Sequence, residues 1–149
     1  MYPIQLLLAL ILVAGMILIT VFFLLNLQNT LKEISPSNRS SAPANVWLMF
    51  IPLFNYIYPF ILYPGICDSI KKEYNTRGRR EAGDFGRGIA IALPILGLCA
   101  IIPYLGILAA LANLILFIVF WVKIAEFKNN LKAMPKTNFH TSNNPDILD

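Results

Sequence analysis

Three long tracts without a charged side chain divide the sequence: residues 1–31, 40–67 and 88–122. A helix that crosses a bilayer needs about 20 consecutive, largely apolar residues, and each of the first two tracts accommodates one. The third would form a helix of about 52 Å at 1.5 Å per residue, against a hydrocarbon core of about 30 Å. It therefore has to turn. "IIPYLG", residues 101–106, supplies the place, because Pro103 disfavours helix before it and Gly106 permits unusual backbone angles. The pattern predicts an all-α polytopic membrane protein with four transmembrane helices, at about 3–27, 46–67, 88–102 and 106–123.

Charge gives the expected orientation. Lys71, Lys72, Arg77, Arg79, Arg80 and Arg87 follow the second tract, and Lys123, Lys128, Lys132 and Lys136 follow the last. Only Lys32 and Arg39 lie between the first and second. Four spans set ten basic residues against two, whereas three spans divide them six against six. The positive-inside rule therefore selects four spans with both termini cytoplasmic. One observation runs the other way: the N-terminal end carries no basic side chain, so the first span alone prefers the reverse orientation.

Composition agrees with the pattern. Of the 149 residues 57% are hydrophobic and 13% charged, about half the charged share of an ordinary soluble domain; the mean hydropathy is +0.64. The first tract lacks the basic n-region of a signal peptide and its apolar run is too long for one, so it is expected to stay as a membrane helix. The expected organisation is a helical membrane domain over 1–133 and a disordered tail over 134–149. Asp84 is placed to cap the third helix. "NTRGRREAGDFGRG" reads as a solvated, flexible loop, and "WVKIAEFKNNLK" as an extension leaving the membrane.

Ionisable groups inside spans are the usual functional signal, and the proposed spans contain none. Cys67 and Cys99 have no nearby histidine, and the single His140 lies in the polar tail. No catalytic set, metal-ligand cluster or phosphate loop can be assembled, so the reading is non-enzymatic, with no cofactor and no nucleic-acid partner. The basic residues from Lys71 to Arg87 are candidates for contact with anionic lipid headgroups, each worth about 1 kcal/mol near the surface.

The polar groups that do enter the spans are Asn55 and Asn113. Pro52, Asn55, Pro59 and Tyr63 share one helical face by their spacing, and Pro59 deprives the Asn55 carbonyl of its helical donor. Gly106, Ala109, Ala110 and Asn113 form a small-residue face at similar depth. The two faces are expected to meet. They serve either as packing glue or as a polar site lined by Asn55, Pro59 and Asn113. Trp47, Tyr63 and Trp121 read as interfacial anchors.

The run "NVWLMFIPLFNYIYPFILYPGICDSIKKEYNTRG" resembles a segment of uncharacterised small four-span membrane proteins of bacteria, of the Bacteroidota type. In those a W-x-x-x-I-P-x-F-N span, matched here by Trp47, Ile51, Pro52, Phe54 and Asn55, leads into a basic helix similar to "DSIKKEY". The resemblance covers roughly a quarter of the chain and implies a bacterial inner-membrane location without an activity. Three classes of function remain: a component binding a membrane-protein partner or a second copy, a subunit of an oligomeric channel or transporter, and a membrane enzyme, which the missing catalytic groups disfavour.

Overall fold

The structure, a computed structural model, describes residues 3–136. Every regular element among them is helical. Of the tail expected over 134–149, residues 137–149, with His140, lie outside the described residues. Five α-helices occur in the order α1 (Pro3–Glu33), α2 (Pro52–Ile57), α3 (Pro59–Thr76), α4 (Arg87–Cys99) and α5 (Gly106–Ala133). Two 3-10 segments, Pro36–Asn38 and Pro43–Phe50, lie between α1 and α2.

Each boundary has a local cause. Pro3 opens α1, where its missing N–H costs nothing, and Ser35-Pro36 disfavours helix beyond Glu33. α2 and α3 nearly form one helix, since the Tyr58 N–H still donates to the Phe54 carbonyl at 2.7 Å and Tyr58 keeps helical angles. The break falls where Pro59 has no N–H to donate to Asn55. The turn between α4 and α5 occupies residues 100–105, as the sequence predicts, but by another device. Tyr104, not Gly106, takes the left-handed conformation, with φ 68°. Gly106 is required for room: a Cβ there would lie 2.5 Å from the Ala100 carbonyl oxygen.

Among the described residues two helices, α1 and α5, are long and apolar enough to cross a membrane. This corrects the expected four. The region read as a second span, about 46–67, is not a single crossing. Ser35 and Asn38 bond to Glu73, Ser40 bonds to Ser69, and Ser41 to Tyr58. Residues 35–50 therefore run backwards alongside α3 and then along α1, until Phe50 and Pro52 stand beside Met16 and Ile17. There the chain reverses and returns through α2 and α3. The segment enters the bundle and leaves it at the same end.

Helix directions follow from paired contacts. Phe23 packs on Phe120, Asn26 meets Lys128 and Glu33 meets Lys136, so α1 and α5 are parallel. Tyr63 packs on Phe120 and Tyr74 on Phe127, so α3 is parallel to both. α4 runs against them: Arg87 pairs with Asp68 near its start, while Gly97 faces Asn113 near its end. All twelve Lys and Arg residues consequently gather at one end of the bundle. Pro3 and Lys136 lie at opposite ends, because Lys136 sits beside Glu33, about 45 Å along α1 from Pro3.

Aromatic packing joins the helices. Phe23 lies 4.6 Å from Phe117 and 5.9 Å from Tyr63 by ring centroids, with Phe120 and Trp121 completing the cluster. Such pairs contribute about 0.5–1.5 kcal/mol each beyond burial. Tyr63, expected at an interface, is a core residue at 8% exposure. A second cluster of Tyr74, Phe85 and Phe127 anchors the loop after α3. Phe85 is buried despite its positive φ of 52°, so that basic loop is tied to the core rather than free.

Candidate functional site

Two prolines interrupt helices at one level of the bundle. Pro59 begins α3, and Pro94, inside α4, leaves the Ala90 carbonyl without its usual donor. Between them opens a cleft of about 250 Å³ whose lining includes Asn55, Pro59, Tyr63, Pro94, Gly97 and Asn113. Asn55 and Asn113 thus line the same space, on elements 58 positions apart in the chain. They do not pair through the Asn113 oxygen: Oδ1 is fully buried and has no hydrogen-bond partner among the described residues. A buried acceptor left unpaired costs about 1–3 kcal/mol.

The small-residue face of α5 does not pack on α2 as expected. Gly106 closes on Ala100 and Asn113 lies near Gly97, so this face meets α4, its own hairpin partner. That leaves the Asn113 amide at the cleft rather than in a helix–helix seam. Pro94 and Gly97 escaped the sequence reading. Their signal is present in "ALPILG", where a proline and a glycine three positions apart fall on one helical face.

A second cleft, of about 480 Å³, lies on the other side of Asn55. Met16, Ile17, Leu24, Met49 and Phe50 make it mostly apolar, and Thr20 contributes a hydroxyl already donated to the Met16 carbonyl at 2.9 Å. Asn55, Tyr56, Tyr63 and Phe117 line both clefts. Among the described residues no charged side chain lines either.

The polar chemistry of the charged end is structural in form. Glu73 accepts from the Ser35 N–H at 3.0 Å, the Ser35 hydroxyl at 2.8 Å, Asn38 Nδ2 at 2.7 Å and Arg77 Nε at 2.9 Å. Arg77 also donates to the carbonyls of Glu33 and Leu131, near the C-terminal ends of α1 and α5. Both side chains are 1% exposed. Burial pushes the Glu73 carboxyl up, but the hydrogen bonds from Asn38, Ser35 and Arg77 outweigh it and hold the group below its ordinary value. Arg77, read from the sequence as a headgroup contact, is enclosed and cannot serve as one. Lys71, Lys72, Arg79, Arg80 and Arg87 remain exposed, Arg87 while paired with Asp68 at 3.0 Å.

Asp84 caps α4 as expected, accepting from the N–H groups of Gly86 and Gly88 at 3.0 Å each. Those donors hold its carboxyl below the ordinary value. Burial, then the neighbouring Lys132, lowers the Lys128 ammonium's affinity for its proton, against an opposing pull from Glu33. No protein-family model matches the chain, and neither a curated protein nor a solved structure does.

Proposed function

We propose that the chain is an integral, non-enzymatic membrane protein that acts as a structural or partner-binding component of a bacterial inner membrane. The observation that carries this reading is the separation of charge. Every Lys and Arg lies at one end of the bundle, while the opposite end, from Pro3 along α1 and around the α4–α5 turn, has none. By the positive-inside rule the charged end is cytoplasmic and the N-terminal end of α1 lies across the membrane. This orientation satisfies all twelve basic residues. It also removes the conflict posed by the uncharged N-terminal end. Residues 34–66 form a re-entrant element, which a bilayer tolerates where protein covers the irregular backbone. Lys71, Lys72, Arg79, Arg80 and Arg87 face anionic headgroups.

From Ile4 to Phe22 α1 presents large apolar side chains that stay exposed among the described residues. In a membrane they face lipid, a second copy or a membrane-protein partner. Two measurements test the proposal. The protein is expected to stay with membranes in alkaline carbonate and to purify in mild detergent with a mass above that of one chain. Carbonate extraction overturns the membrane reading, and a strict monomer without companions overturns the partner reading.

A second reading, a subunit of an oligomeric channel or transporter, draws support from the cleft at Asn55 and Asn113. Ion or solute flux in liposomes, lost in a folded Asn55→Leu variant, would establish it.

A further inference from the structure

The smaller cleft lies where two helices are interrupted, by Pro59 at the start of α3 and by Pro94 inside α4. Irregular backbone at membrane depth persists where it lines a cavity or is covered by protein, and in transporters broken helices typically frame the solute site. We propose that this cleft alone binds one small uncharged solute, bearing hydroxyl or amide groups, through the Tyr63 hydroxyl and the Asn55 amide. The inference rests on the membrane reading and deepens the second reading, since it names the class of solute.

Three observations select this class. First, Tyr63 is 8% exposed, yet its hydroxyl has no hydrogen-bond partner among the described residues and is not sealed off. A hydroxyl both donates and accepts, and so does the amide of Asn55, an exposed residue of α2 in the same lining. Second, no charged side chain lines the cleft among the described residues, and Asn113 in its wall precedes Lys123 by ten positions on α5, about 15 Å along the axis. An ionic solute held there without a counter-charge is far more costly than a hydroxyl or an amide. Third, the volume of about 250 Å³ lies below the range of about 300–1,000 Å³ that holds drug-sized ligands. The solute is therefore small. Tyr63 also lines the larger cleft, but Pro59 and Pro94 border only the smaller one.

The probe is glycerol, observed by saturation-transfer NMR with the full chain in phosphatidylcholine nanodiscs and with empty discs as the blank. A saturable signal above the blank is expected. Glycerate, its charged analogue, and sucrose should not compete at equal concentration. Tyr63→Phe keeps the ring that packs on Phe23 and Phe120. It should weaken glycerol binding about fivefold, the loss of one hydrogen bond, with thermal stability kept because no internal partner is lost. Should that variant misfold, Gly97→Val fills the cleft, where a Cβ meets Asn113 Nδ2 at 4.0 Å and nothing closer, and should abolish the saturable signal.

Equal competition by glycerate overturns the uncharged class, and equal competition by sucrose overturns the small one. A signal no greater than the blank, or unchanged in both variants, overturns the site and leaves the Tyr63 hydroxyl to water. Ion flux in liposomes without glycerol binding keeps the second reading and refutes this inference alone. Glycerol binding without flux of any solute refutes the second reading alone. Carbonate extraction reports separately on the membrane reading.

Discussion

The main-chain N–H of Ser40 donates to Ser69 Oγ at 2.8 Å, and that hydroxyl donates in turn to the Gly65 carbonyl at 2.7 Å. This chain of two bonds helps hold residues 35–40 against α3 at the charged end, where a four-span protein would have put them across the membrane. Single cysteines in a background lacking Cys67 and Cys99 test the difference. Ser37→Cys and Asn75→Cys should react with an impermeant maleimide from one side, and Gln5→Cys from the other. Reaction of Ser37→Cys from the side opposite Asn75→Cys, with Gln5→Cys on the same side as Asn75→Cys, would restore the four-span arrangement.

Gly65 makes this contact close. An added Cβ would stand 2.8 Å from Ser40 Oγ and 3.2 Å from Ser40 Cβ. Gly65→Ala should therefore destabilise the protein by about 1–2 kcal/mol, as overpacking does, measured as a lowered unfolding midpoint in detergent. Adding Ser40→Gly removes the clashing atoms and should recover most of the loss. Additive effects of the two changes would show that the contact is not made.

Glu73 and Arg77 form a buried pair that fastens α1, α3 and α5 at one end. Glu73→Gln leaves a buried guanidinium uncompensated and should cost about 3–5 kcal/mol. The pH dependence has a definite sign. Because the folded-state carboxyl lies below its ordinary value of 4.5, its stabilisation is complete above that value and declines as pH falls through the folded-state pKa. The wild type should lose stability in that acidic window, and the Gln variant should lack this component. Parallel pH profiles for the two would refute the assignment.

The α4–α5 turn depends on glycine for space rather than for backbone angle. Gly106→Ala sets a Cβ against the main-chain carbonyl of Ala100, which cannot rotate away as a side chain does. A cost of about 2–3 kcal/mol is expected, larger than that of Gly65→Ala. A neutral result would mean that the turn relaxes freely.

Asp84 satisfies two otherwise free N–H groups at the start of α4. Asp84→Ala should cost about 1 kcal/mol, and Asp84→Asn much less, since asparagine also caps well. Equal losses would make the charge, rather than the hydrogen bonds, the operative feature.

Much of this protein is legible without coordinates, for local reasons. Uncharged runs mark the apolar helices because hydrocarbon excludes charge, and "IIPYLG" marks the α4–α5 turn because 35 uncharged residues outrun a bilayer. The break before Pro59 follows from a missing N–H. The placing of Asn55, Pro59 and Tyr63 along one cleft follows from helical spacing. These are properties of neighbouring residues, and they carry over into the fold.

Direction across the bundle is a different kind of property. An apolar run has the same hydropathy whether it crosses once or enters and returns, so residues 46–67 could not reveal that they double back. Tertiary contacts decide it: Glu73 binding Ser35 and Asn38, Ser69 binding Ser40, and Lys128 reaching Asn26. Arg77 looked like five other surface cations until packing enclosed it between the ends of α1 and α5. The unpaired Asn113 oxygen also emerges only in three dimensions, because satisfaction of a polar group depends on what lies within about 3 Å of it, however distant in sequence. Local chemistry determined which segments are helical and apolar; packing between distant segments decided how they pass one another, and hence where the clefts and the charge lie.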